Sequence, residues 1–159
     1  MLKPSIFAKC RFRPTQIREV AKRRFGDAIA LRRTRDNERA NGAMYLGGYV
    51  IECLLKAKLM DRFPWLQKAS SSQGRSRWEC RLWSLCYRWH DLDELLAMLP
   101  NVTTKLSQLD QRGSGRLVQS LKSICAQWTV HVRYSPYSAT MRQAKEFLDQ
   151  VKELKRWLA

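Results

Sequence analysis

The feature that most constrains this chain is a nearly unbroken apolar segment from about Arg39 to Arg62, ANGAMYLGGYVIECLLKAKLMD. A helix that is apolar almost all round must be wrapped by several neighbours, so the segment predicts the central helix of a bundle. Gly42, Gly47 and Gly48 interrupt it. Each glycine costs a helix interior about 1 kcal/mol, so the adjacent pair marks close approach of another helix rather than local preference. Pro64 follows just after the end. Read as a membrane span, Ala43–Met60 carries Glu52, Lys56 and Lys58, charges that are costly in a bilayer. A buried soluble helix fits better.

The flanking segments supply the wrapping. Pro14-Thr15 is a start signal, and Ile17, Val20, Ala21, Arg24, Ala28 and Leu31 recur at helical spacing, with Arg18, Lys22, Arg23, Arg32 and Arg33 opposite. His90-Asp91 opens a helix with Asp93 and Glu94 in its first turn, where the dipole favours anions, and Pro100 is expected to close it. Gly113-Ser114-Gly115 introduces a helix aligning Leu117, Leu121, Ile124, Cys125 and Trp128. The last helix aligns Ala144, Phe147, Leu148, Val151, Leu154 and Leu158. With no alternating strand pattern, the expected class is all-α: an up-and-down helical bundle of four to five helices. At 159 residues the chain fits one domain, residues 14–159, preceded by a basic arm at 1–13.

The net charge is +16, and half of it falls before Ala40, where 12 basic residues face 4 acidic ones. Such a local excess attracts polyanions, nucleic acid foremost, by long-range attraction and counterion release. The five cysteines include no CxxC pair, and His90 and His131 have no metal-ligand spacing, so reduced thiols and no metal or other cofactor are expected. The N-terminus has no apolar run of signal-peptide length, which predicts a cytoplasmic protein that does not engage a membrane.

The stretch 65–89 reads as a Trp/Arg-rich mobile insertion: SSSQGRSR is loop-like, and Trp78, Trp83 and Trp89 alternate with Arg77, Arg81 and Arg88. Aromatics interleaved with arginines can stack bases and hold phosphates. The competing reading is a short helix that buries its tryptophans on the bundle. Glu52 and Lys56 lie one turn apart on the apolar helix and can pair. Buried charges survive only when paired and hydrogen-bonded, so this face is expected to meet polar groups such as His90, His131, Arg133 or Tyr134. An ion pair that only fixes helix register is the plainer alternative.

The series AxYLGGYVIECLLKA, HDLDELL, WTVHVRYSP and FLxxVKELxxWL resembles the HEPN (higher eukaryotes and prokaryotes nucleotide-binding) domain family over Arg18–Lys58 and His90–Leu158. The resemblance implies a bundle of four or five helices that forms a homodimer. It also implies work in prokaryotic toxin–antitoxin or defence systems, either as a metal-independent endoribonuclease or as a module that binds nucleotide or partners a nucleotidyltransferase. Active members carry an Arg followed, after four to six residues, by a His on a late helix. Here the required positions before His131 hold Ala126, Cys125 and Ile124, and those before His90 hold Leu85, Ser84 and Trp83. Glu52 matches the polar position of the family's second helix, and Arg133-Tyr134 matches the Arg-Tyr turn of a subgroup.

The leading expectation is therefore a HEPN-like module that binds RNA, nucleotide or a partner protein without the usual ribonuclease motif. Its binding residues would be Lys56, His90, Tyr134, Arg18, Lys22, Arg23, Arg77 and Arg81. The alternative is an endoribonuclease in which His131 is the base for a 2′-hydroxyl, Arg133 the cation at the phosphate and Glu52 the polar partner. An assembly subunit, docking through the insertion, is a third.

Overall fold

A computed structural model describes residues 12–68, 74–109 and 116–159. Among these residues there are seven α-helices and no strand. They are α1 (Pro14–Arg33), α2 (Ala40–Arg62), α3 (Arg77–Tyr87), α4 (Leu92–Ala97), α5 (Pro100–Leu109), α6 (Arg116–Gln127) and α7 (Met141–Leu158). Short 3-10 turns at Asn37–Arg39, Pro64–Gln67 and Val130–Tyr134 join them. Residues 1–11 of the expected N-terminal arm, Ala69–Gln73 of the insertion and the Gly113-Ser114-Gly115 signal lie outside the described residues.

Helix α2 is the axis, in contact with α1, α3, α4, α7 and all three 3-10 turns. Val50, Ile51, Leu54, Leu55, Leu59 and Met60 are buried on it, so the all-round apolar pattern follows from neighbours on every side. At the glycine pair the Trp128 indole and α7 press directly on the α2 backbone. A Cβ on Gly48 would sit 2.0 Å from Cδ1 of Trp128, and one on Gly47 would sit 2.7 Å from Cδ2 of Leu148. The bare backbone lets the Trp128 indole lie against α2 and donate from Nε1 to the Tyr45 carbonyl at 3.0 Å. Helix α2 stops at Phe63 because Pro64 disfavours helical backbone in the residue before it.

The outer helices start where side chains satisfy their first amides. On α1 the Gln16 side chain accepts from the Arg13 amide at 2.8 Å; Ser76 and Glu79 form a capping box on α3, and Thr140 and Gln143 on α7, while Asp91 accepts from the Glu94 amide to start α4. Hydrogen bonds from Ser76 hold the Glu79 carboxyl below the usual carboxylate range. The α7 stripe of Ala144, Phe147, Leu148, Val151, Leu154 and Leu158 is buried throughout, as its spacing predicts.

Three local expectations change. Pro100 does not end a helix but begins α5, since proline fits a first turn where its missing N–H costs nothing; α4 has already closed at Ala97. The described part of the insertion contains a capped helix, α3, and the side chains it buries are Leu82, Leu85 and Cys86. Its tryptophans stay at the rim, Trp78 and Trp89 exposed and Trp83 half-buried. Arg24 leaves the apolar stripe of α1 and pairs with Asp27 at 2.8 Å in solvent.

Candidate nucleic-acid interface

The seam predicted on α2 forms, and it is compact. Glu52 is fully buried and Lys56 nearly so, with Lys56 Nζ 2.6 Å from Glu52 Oε1. The same oxygen is 2.9 Å from Nδ1 of His90, which arrives from the connection between α3 and α4. Lys56 also donates to the Trp89 carbonyl at 2.9 Å. The other carboxylate oxygen, Oε2, is buried without a hydrogen-bond partner among the described residues. The His90 side chain is 46 % exposed, so the seam runs from the core to the surface.

The surroundings are dry. Burial and the Glu52 charge push the Cys53 thiol up to about 12, against the pull of Lys56. Burial does the same for Cys86, also to about 12. Tyr49 is raised as well, by burial first and then by the charges of Cys53 and Glu52. Such thiols are inert as nucleophiles, because the thiolate is the reactive form. Cys53, Cys86 and Cys125 are free thiols; Cys10 lies outside the described residues.

Beside the seam, the outer face of α3 forms an open cleft of about 710 Å³ lined by Arg77, Trp78, Cys80, Arg81, Ser84, Trp89 and Glu94. Trp78 is 49 % and Trp89 45 % exposed. Trp78 is steadied by an edge contact with Phe63 at 5.3 Å between centroids, and Arg81 by Glu94 at 2.7 Å. Elsewhere in the same stretch Arg75 lies over Trp65 at 4.3 Å and Arg88 over Trp83 at 4.9 Å. Trp89 connects the two features, since its ring lines the cleft and its carbonyl holds Lys56.

The remaining predicted residues fall elsewhere. His131 and Tyr134 are exposed on the 3-10 turn Val130–Tyr134, outside the hydrogen bonds that unite Glu52, Lys56 and His90. The Arg133 side chain lies outside the described residues. Arg18 is half-buried and joined to Asp61 on α2, which ties it to the α1–α2 contact, whereas Lys22 and Arg23 face solvent. Among the described residues no group of three or more His, Cys, Asp or Glu is arranged to hold a metal ion. No described helix is long and apolar enough to cross a membrane. Trp78 and Trp89 are legible from the alternation of Trp and Arg, whereas nothing in the sequence marks Glu94 as part of the cleft.

Compared with models of known families, with curated proteins and with solved structures, the chain gives no significant match.

Proposed function

We propose that this chain is a HEPN-like module that binds single-stranded RNA through the cleft on α3. The observation that carries the reading is the pairing of two half-exposed tryptophans with two arginines in one cleft on a strongly basic chain. Every base has a face that can stack on an indole, and each such stack contributes about 1–3 kcal/mol. Arg77 and Arg81 supply cations for the adjoining phosphates. The helical bundle and the quoted motifs support the family side of the reading, and the missing Arg–His spacing favours binding over catalysis.

Anisotropy titration of a labelled ten-nucleotide RNA tests it. Trp78→Ala and Trp89→Ala should each weaken binding at least fivefold, from the lower bound of a stacking contribution. Affinity should fall as salt rises. Unchanged affinity in both variants, or affinity independent of salt, overturns the proposal.

The Glu52–His90 contact favours a second reading, metal-independent RNA cleavage. A histidine oriented by a buried carboxylate is arranged for proton transfer, and Nε2 is the nitrogen that Glu52 leaves unengaged. In that reaction His90 takes the proton of a 2′-hydroxyl, the oxygen attacks the adjacent phosphorus and the bond to the 5′-oxygen breaks. That oxygen leaves with a proton from water, the hydroxide so formed takes the proton from His90, and a 2′,3′-cyclic phosphate remains. Cleavage in chelator that yields this end and disappears in His90→Ala supports the reading. Cleavage lost in His131→Ala and kept in His90→Ala moves the chemistry to the other histidine.

A further inference from the structure

A second cationic feature lies at the opposite end of α2. Asn37, in the turn before α2, accepts from the Met141 amide at 2.8 Å, and Asn41 in the first turn of α2 bonds the Tyr137 carbonyl at 2.7 Å and the Ala139 amide at 2.8 Å. These bonds fasten the chain leading into α7 to the start of α2 and the turn before it, which follows the end of α1. Between the end of α1 and the start of α7 is a cleft of about 470 Å³ lined by Arg32, Arg33, Arg35, Met141, Arg142 and Lys145. Five of its six lining residues are cations and none is a carboxylate. The Trp-lined cleft instead lies towards the other end of α2, where Trp78 meets Phe63 and Trp89 meets Lys56.

The cationic lining of this cleft suits an anion. Like charges gathered between two helices repel, and the i,i+4 partners Glu146 and Asp149 meet only Arg142 and Lys145, at 4.0 and 3.1 Å in solvent. Arg32 Nε is buried with no hydrogen-bond partner among the described residues, a donor that has lost water and gained nothing in exchange. Arg35 holds a φ of 60°, the left-handed turn that ends α1 one residue past its C-cap at Thr34.

We propose that the Arg32–Arg35 and Arg142–Lys145 cleft is a phosphate site, taking a group with several anionic oxygens such as a pyrophosphate or a terminal phosphate of RNA. Guanidinium groups match such oxygens in pairs, and Arg32, Arg33, Arg35 and Arg142 line the cleft. This site stands independently of the α3 cleft, whose failure to bind RNA would leave it untouched.

Isothermal titration of the full chain with inorganic pyrophosphate, at constant ionic strength and with sodium chloride as the matched control, tests the proposal. Saturable binding is expected. Arg32→Gln should weaken it roughly tenfold or more, the effect of losing one hydrogen bond between charged partners. Arg142→Gln, at an exposed position that leaves the core intact, should weaken it severalfold, and Trp78→Ala should not change it. A parallel titration compares RNA bearing a 5′-triphosphate with the same RNA bearing a 5′-hydroxyl. Preference for the triphosphate identifies an RNA end as the source, and equal affinity identifies a free polyphosphate. Pyrophosphate heat that does not saturate, or binding identical in wild type, Arg32→Gln and Arg142→Gln, overturns the proposal.

Discussion

Nδ1 of His90 lies 2.9 Å from Oε1 of Glu52, a carboxylate with no exposed surface. The same oxygen also takes Lys56, so one atom of the fold joins the longest helix to the connection before α4.

Removing that atom should be costly. Glu52→Ala leaves the Lys56 ammonium buried without its counter-charge, and the loss should be about 3–5 kcal/mol in urea unfolding. A double substitution, Glu52→Leu with Lys56→Met, removes both charges together and should recover most of that loss. A double variant as unstable as Glu52→Ala would show that the pair does more than compensate its own desolvation.

The seat of Trp128 gives a second expectation. Gly48→Ala places a methyl 2.0 Å from a rigid indole and should cost about 3 kcal/mol. Gly47→Ala meets the far end of Leu148, which can swing aside, and should cost less. Combined with Trp128→Ala, Gly48→Ala should be far less harmful than alone, a coupling that a double-mutant cycle on urea midpoints measures.

Buried thiols set an alkaline limit. Burial lifts Cys53, Cys86 and Cys125 from the ordinary 9.0 to about 12. Each folded-state value is raised, so the associated stability is complete below about pH 9 and is lost as pH climbs towards 12. The thermal midpoint should fall steadily above pH 9, and less steeply in Cys53→Ala/Cys86→Ala than in wild type. At pH 8 a thiol reagent should label these cysteines only after denaturant is added.

Glu94 opposes the α3 cleft electrostatically while bonding Arg81 at 2.7 Å. Glu94→Gln removes a negative charge from beside the expected phosphate path and releases a guanidinium. RNA affinity in the anisotropy assay should rise roughly two- to fivefold, the scale of an exposed ion pair. Unchanged or weaker binding would place the RNA elsewhere.

Much of this architecture is legible in the chain because its causes are local. The stripe of α7 and the all-round apolar character of α2 are periodicities, and periodicity survives without coordinates. Pro100 misleads because proline signals both an end and a beginning, and only the earlier close of α4 at Ala97 distinguishes them. The Glu52–Lys56 pair is readable from one-turn spacing, and its need for company follows from burial, but the choice of His90 over His131 depends on where the α3–α4 connection crosses α2. The phosphate cleft draws Arg32 and Arg142 from segments more than a hundred residues apart, and no spacing rule reaches that far.

The indole seated on Gly48 has one more consequence. Sliding or turning α2 against the chain that follows α6 would lift that ring from its seat and break its bond to Tyr45, so the ring acts as a pin through the axle. The direction in which Glu52 faces is thereby set by a side chain outside its own hydrogen-bonded group, and damage at the pin would be felt at the seam as misalignment long before the bundle came apart.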